Sequence, residues 1–140
     1  MNNTRKLLVL WVPIVAWCSL IFYLSSIPNL KIEALGPWDL LFRKLAHMAE
    51  YGILAFLLFR ALKNSAQYAP QNIYRLYFWP GFLSITYAIT DELHQLFVPT
   101  RGPSPVDILI DASGTVIVLI LLSFSEKGSN LNFIRKLTTI

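Results

Sequence analysis

Hydrophobic positions along this chain gather into four long runs with short polar connections between them. The first, Leu7 to Leu24, is eighteen residues without a charge, long enough to cross a bilayer as a helix. Pro13 lies inside it, a placement that membrane helices tolerate because neighbouring groups re-satisfy the freed backbone. The second runs from about Leu40 to Leu62 and carries Arg43, Lys44, His47 and Glu50 in its first half. The third, about Trp79 to Val98, has no charge before Asp91, and the fourth, Pro105 to about Phe124, has none after Asp111. The pattern predicts an all-α fold: an integral membrane four-helix bundle in one domain, residues 1–140. Breakers at Pro28, Gly36 and Pro37 mark a loop over 25–38, and 64–75 reads as a polar loop.

Composition strengthens the membrane reading. Hydrophobic residues make up 55% of the chain and charged residues 14%, against roughly 25% charged in soluble domains. Mean hydropathy is +0.53. A soluble domain of this size leaves too much of its surface wet to hide that much apolar area. The net charge of +4 comes from basic residues at the edges of apolar runs, not from stripes on polar faces. That distribution points to membrane lipids as partners and away from nucleic acid. The single cysteine, Cys18, sits in an uncharged run and reads as packing. Arg5 and Lys6 resemble the start of a signal peptide, but the run that follows is longer than a usual signal core and no A-x-A site follows it.

Counting Lys and Arg in the connections sets the orientation. An inside N-terminus places Arg5, Lys6, Arg60, Lys63, Arg75, Lys127, Arg135 and Lys136 on the cytoplasmic side, and Lys31, Arg43, Lys44 and Arg101 outside. The excess favours N-in and C-in. Trp38 and the Tyr74, Tyr77, Phe78, Trp79 group lie at segment edges, as interfacial belts do. The tail from Glu126 to Ile140 ends in NFIRKLTTI, a short basic amphipathic stretch suited to the inner leaflet.

The stretch DELHQLFVPTRGPSPVDILID, residues 91–111, then stands out, with half of the chain's acidic residues between two greasy runs. Alternate ends of antiparallel helices meet, so Lys44, His47 and Glu50, then Asp91, Glu92, His94 and Gln95, then Asp107 and Asp111 all fall at one depth. Spacing of three or four groups His47, Glu50 and Tyr51 on one stripe, Asp91, His94 and Gln95 on a second, and Asp107, Asp111 and Gly114 on a third. Gly114 permits close helix approach. Acids at the end of the third segment and bases at the start of the second oppose the helix dipoles, which makes sense if those ends pack together. Ionisable groups inside a membrane segment are expensive unless paired or wetted, and they mark functional sites.

A structural role stands beside each functional one. Ser104, followed by Pro105 and Asp107, reads as a helix N-cap, and Asp107 as a capping acid. Asp111 is beyond capping reach and would pair with Lys44 or Arg43. His47 would join helices by a hydrogen bond, and Glu92, about 100° round the helix from Asp91, would face the headgroups. On the functional side, Arg101 in its tight turn, with Arg43 and Lys44 across from it, can hold a phosphate or carboxylate. His47 or His94 beside acids can act as general acid or base. No spacing fixes a metal site, and no cofactor is expected.

These residues resemble the VanZ-like family of small bacterial membrane proteins. The resemblance rests on FYLSSIP at 22–28, RKLAHMAEYGIL at 43–54 and DELHQLFVPTRGPSPVDILIDASG at 91–114. Its motifs fall on Lys44, His47 and Tyr51, on Asp91, Gln95, Pro99 and Arg101, and on Asp107, position 111 and Gly114. The family pattern more often has Asn where this chain has Asp111. The resemblance implies a multi-pass protein of the bacterial cytoplasmic membrane, linked through the founding member to resistance to teicoplanin, a lipoglycopeptide acting outside the membrane. Three functions stay open at this point. One is binding or modifying a lipid-linked or lipophilic small molecule in an outward polar pocket. The second is a membrane-embedded enzyme on a phosphorylated lipid-linked precursor. The third is a structural partner with an interhelical ion-pair cluster. Oligomeric state is not legible.

Overall fold

A computed structural model describes residues 2–28, 33–65, 72–102, 104–127 and 136–139. Four helices carry the chain: α1, Asn3–Ser25; α2, Asp39–Asn64; α3, Ile73–Gln95; and α4, Pro105–Lys127. A short 3₁₀ turn, Glu33–Trp38, leads into α2, and Gly36 within it takes the left-handed φ of 49°. Lys31, residues 66–71 of the 64–75 loop and most of the NFIRKLTTI stretch lie outside the described residues.

Helices of 23 to 26 residues rise about 1.5 Å per residue, enough to traverse a hydrocarbon core of about 30 Å. Three spans, Thr4–Ser25, Gly36–Asn64 and Pro105–Glu126, are also apolar enough to do so. The third helix is long but more polar. It begins at Ile73, earlier than its apolar run, and its inward face holds Pro80, Gly81, Ser84, Ala88, Asp91, Glu92 and Gln95. Its large apolar residues, Phe82, Leu83, Ile89 and Leu93 among them, point outward.

That inversion runs through the whole protein. Asp91, Glu92, Gln95 and Asp111 are all at most 5% exposed, while Val15, Phe22, Leu109 and Phe124 are at least half exposed. Water would reverse this arrangement; lipid rewards it. The protein is an all-helical membrane bundle.

Helix α2 is central and touches each of the other three. Leu10, Ile14 and Ile21 of α1 pack against Tyr51, Leu54, Leu58 and Ala61 of α2, with Ala88 of α3 in the same cluster. Polar ties cross the core as well. Ser84 of α3 donates to the Tyr51 carbonyl at 3.3 Å and meets the Thr115 hydroxyl of α4 at 2.9 Å. The Tyr87 hydroxyl donates to the Cys18 carbonyl at 2.7 Å.

α2 and α4 cross most closely. A methyl group built on Gly114 would stand 1.9 Å from the Met48 carbonyl oxygen, so glycine is required there. Gly52 faces it, with Val118 Cγ2 and the Gly114 carbonyl at 3.0 and 3.3 Å from its missing Cβ.

At the end of the bundle where α2 finishes, Lys63 donates to Glu126 Oε1 at 2.7 Å and to Thr138 Oγ1 at 3.1 Å. Asn64 donates to the Thr138 carbonyl at 2.6 Å, so residues 136–139 are tied to the α2 terminus.

Substitution of Gly114→Ala should push α2 and α4 apart and lower stability by about 1–3 kcal/mol, the usual cost of overpacking. Gly102→Ala, with open space around its missing Cβ, should be neutral. Thermal unfolding of the detergent-solubilised protein followed by helix circular dichroism measures both.

Candidate functional site

At the opposite end of the bundle the C-termini of α1 and α3 meet the N-termini of α2 and α4. Because α2 begins at Asp39, Arg43 is one turn inside the helix and pairs with Asp39 Oδ2 at 2.9 Å. Asp39 thus supplies the acidic first turn that the dipole favours. Lys44 donates to Asp107 Oδ1 at 2.6 Å, which ties the start of α2 to the first turn of α4.

The two acids that end α3 find other partners. Asp91 Oδ2 accepts from the Ser25 hydroxyl at 2.7 Å and from Gln95 Nε2 at 3.2 Å. Glu92 Oε2 accepts from the Ser104 amide at 3.0 Å, and Ser104 Oγ in turn accepts from the Val106 amide at 3.2 Å. Ser104 is therefore the N-cap that its neighbours predict. Glu92 is buried under the α4 terminus, which replaces the expected headgroup-facing position.

Arg101 holds the α3–α4 connection down. Its Nη2 donates to the Leu24 carbonyl at 3.0 Å and to the Ile27 carbonyl at 3.1 Å, and its Nε reaches Ile27 at 3.2 Å. A guanidinium on the Leu24 carbonyl in the last turn of α1 and on the Ile27 carbonyl just beyond it caps that end of the helix, at the negative end of its dipole. Burial, with Arg43 nearby, pushes the Arg101 guanidinium below its ordinary pKa; Asp91, Glu92 and Glu50 pull it back. Beside it Thr100 is held at a φ of 69°, a costly conformation for a β-branched residue.

Under this connection lies a cavity of about 200 Å³, walled by α2, α3, α4 and the turn at Thr100–Gly102. Three cationic side chains, Arg43, Lys44 and Arg101, and three acidic ones, Glu92, Asp107 and Asp111, line it together with His47 and Gln95. His47 Nδ1 lies 3.8 Å from both Glu50 Oε2 and Asp111 Oδ1, beyond hydrogen-bond range. Asp111 is 1% exposed, and neither carboxylate oxygen has a hydrogen-bond partner. Arg43 Nε and His47 Nδ1 are likewise buried and unbonded. Among the described residues, no three His, Cys, Asp or Glu side chains are grouped to hold a metal ion.

Of the eleven residues singled out by sequence, the cavity gathers Arg43, Lys44, His47, Gln95, Arg101, Asp107 and Asp111. Asp91 and Tyr51 sit deeper. Tyr51 is fully buried, close to Asp91 but without a well-formed hydrogen bond. Glu50 borders His47, and its carbonyl accepts from the Trp17 indole at 2.9 Å. His94 turns toward α1, with Nε2 3.0 Å from the Ser26 hydroxyl and its ring 4.3 Å from that of Phe22. The expected pairing of the basic α2 start with the acidic α3 end is replaced by Lys44–Asp107, and Asp111 pairs with neither Lys44 nor Arg43.

The model of the VanZ/LLP1 family matches residues 3–126. The chain belongs to the VanZ/LLP1 family. No curated protein and no solved structure matches it. The VanZ/LLP1 match takes in all three stretches that carry the resemblance, and with them every wall of the cavity. Ser25, Glu92, Thr100 and Gly102 complete this VanZ/LLP1 site beyond the residues the spacing selects. Ser25 had one signal in the sequence, its place in FYLSSIP; the backbone carbonyls that receive Arg101 had none.

Arg101→Lys keeps the charge but loses the fork that reaches both carbonyls. It should cost about 1–3 kcal/mol, as expected for hydrogen bonds to a charged group. Amide hydrogen exchange at the α1 C-terminus should quicken while the α2–α4 crossing stays protected.

Proposed function

We propose that this VanZ/LLP1 protein binds the polar end of an envelope amphiphile in the cavity under the α3–α4 connection, on the outer side of the bacterial cytoplasmic membrane. The observation that carries the reading is the set of buried polar atoms left without partners around that cavity: Asp111 Oδ1 and Oδ2, Arg43 Nε and His47 Nδ1. A cluster serving only to join helices has every reason to be saturated, because each buried unsatisfied group costs roughly 1–3 kcal/mol. The joining function is already performed at this end by Lys44–Asp107, Asp91–Ser25 and Arg101 with α1. What is left over has the character of a receiving surface.

The Lys and Arg excess on the opposite connections supports an outward-facing site. Arg43, Lys44 and Arg101, three of the four basic residues on the site side, are held within the protein by Asp39, Asp107 and the α1 carbonyls. An outer-leaflet site suits the link to teicoplanin that the resemblance implies, since that drug carries a lipid tail and acts outside the membrane. An acid–base role for His47 has one favouring observation, two carboxylates each 3.8 Å from Nδ1. Turnover of a bound amphiphile would promote that second reading.

Two measurements test the proposal. Wild-type protein extracted gently from membranes should carry a bound amphiphile in native mass spectrometry, and His47→Ala should lose it by roughly tenfold or more in affinity while keeping its helix content. In a Cys18→Ser background, Gly102→Cys in intact cells should react with a membrane-impermeant maleimide and Tyr74→Cys, exposed at the opposite end, should not; the reverse pattern would overturn the orientation.

A further inference from the structure

The cavity under the α3–α4 connection is walled by charges that are already spoken for. Arg43, Lys44 and Arg101 line it against Glu92, Asp107 and Asp111, three basic side chains to three acidic ones. Arg43 is engaged by Asp39, Lys44 by Asp107, and Arg101 by the Leu24 and Ile27 carbonyls. Glu92 accepts from the Ser104 amide. An anionic head would lose its hydration here, and no cation lining the cavity is left to pair with it. A cationic head is no better placed. Asp111 is 1% exposed, but His47 Nδ1 stands 3.8 Å from its Oδ1. A proton on that imidazole supplies the positive charge that the carboxylate lacks.

What remains is hydrogen-bonding capacity. The atoms without partners are two acceptors, Asp111 Oδ1 and Oδ2, one donor, Arg43 Nε, and His47 Nδ1, which donates or accepts according to its tautomer. The 3.8 Å between His47 Nδ1 and Asp111 Oδ1 is too long for a direct bond. It is a span that one intervening oxygen bridges, at about 2.8 Å from each side. A hydroxyl serves in either tautomer, because it both donates and accepts. A carboxylate with both oxygens empty takes two donors side by side, and neighbouring hydroxyls on one carbon frame present such a pair. The cavity, about 200 Å³, is smaller than the roughly 300–1,000 Å³ of sites that enclose a whole drug-sized ligand, so it takes one end of a molecule.

Resting on the binding reading above and naming its headgroup, we infer that the cavity receives an uncharged, polyhydroxylated head, a sugar ring or a comparable polyol. Two neighbouring hydroxyls donate to Asp111, one to each oxygen. The hydroxyl on Oδ1 also meets His47 Nδ1 and so closes the gap between them, and Arg43 Nε donates to a further hydroxyl oxygen. The Lys44–Asp107 pair and the Arg101 bonds to α1 stay intact, so the walls keep their shape with the head in place.

The test uses the full-length protein in a polyoxyethylene detergent, which has no sugar of its own, doped equally with glucosyldiacylglycerol, phosphatidylethanol and diacylglycerol of identical acyl chains. Native mass spectrometry reads the proportions retained. Wild type should hold the glucosyl lipid roughly tenfold better than either of the others. Asp111→Asn keeps one acceptor oxygen and should retain part of that preference. Asp111→Leu should lose it with helix content unchanged. Phosphatidylethanol held as well as the glucosyl lipid would overturn the uncharged head, and diacylglycerol held as well would overturn the recognition of a polyol. Either result, with lipid still bound, leaves the broader binding proposal standing. Full preference in a folded Asp111→Leu protein would overturn the place given to Asp111; the wild-type comparison needs no variant and stands even if that one fails to fold. No retained amphiphile of any kind would remove the binding proposal itself.

Discussion

A charge that leaves water must meet its opposite, or a strong hydrogen bond, inside the protein, and this bundle is organised around that demand. The large exposed side chains along the helices are mostly apolar, and the acids of the site end are turned inward, between helices. At the site end the demand is met unequally. Lys44 and Asp107 satisfy each other, and Asp91 Oδ2 accepts from Ser25 and Gln95 while Oδ1 is left without a partner. Neither oxygen of Asp111 has a hydrogen bond, and His47 Nδ1 stands 3.8 Å from Oδ1. The ion pair and hydrogen bonds that tie helices together thus stand beside buried groups left without a hydrogen bond.

The α3–α4 connection converts those separate pairs into one rim. Glu92 anchors its far side through the Ser104 amide, Arg101 anchors its near side through α1, and Thr100 takes a strained conformation between them. A short connection pinned at two points roofs the cavity with backbone whose position is fixed by charge-assisted bonds. The close α2–α4 crossing at Gly114 does the same from below. The cavity is thus bounded by the two most constrained features of the protein, which suits a receiving surface that must keep its shape when empty.

Much of this was readable in advance, and the limits have a physical origin. Helix number followed from run length, and the shared depth of Lys44, His47, Asp107 and Asp111 followed from helix rise and antiparallel order. Partner choice did not follow, because it depends on how far each helix is rotated about its axis. In a soluble protein the apolar face fixes that rotation. Here lipid-facing and core-facing sides are both apolar, so only a few polar positions mark the inner face. α1 shows this best: with no charged residue after Lys6, it offered little sign that Ser25, Ser26 and two carbonyl oxygens belong to the site. Glu92 was misplaced for a related reason. A helix wheel separates it from Asp91, but the chain folds back over it and supplies an amide donor from twelve residues further on.

The Arg101 contacts with Leu24 and Ile27 span more than seventy positions of sequence. Proteins are made from the N-terminus onward, so α1 is synthesised long before the guanidinium that finishes it. Until the third connection emerges, the last turn of the first helix is incomplete. Assembly of the rim is therefore a late event in biogenesis, and a nascent chain halted before residue 101 would hold α1 with a ragged end and no roofed chamber at all.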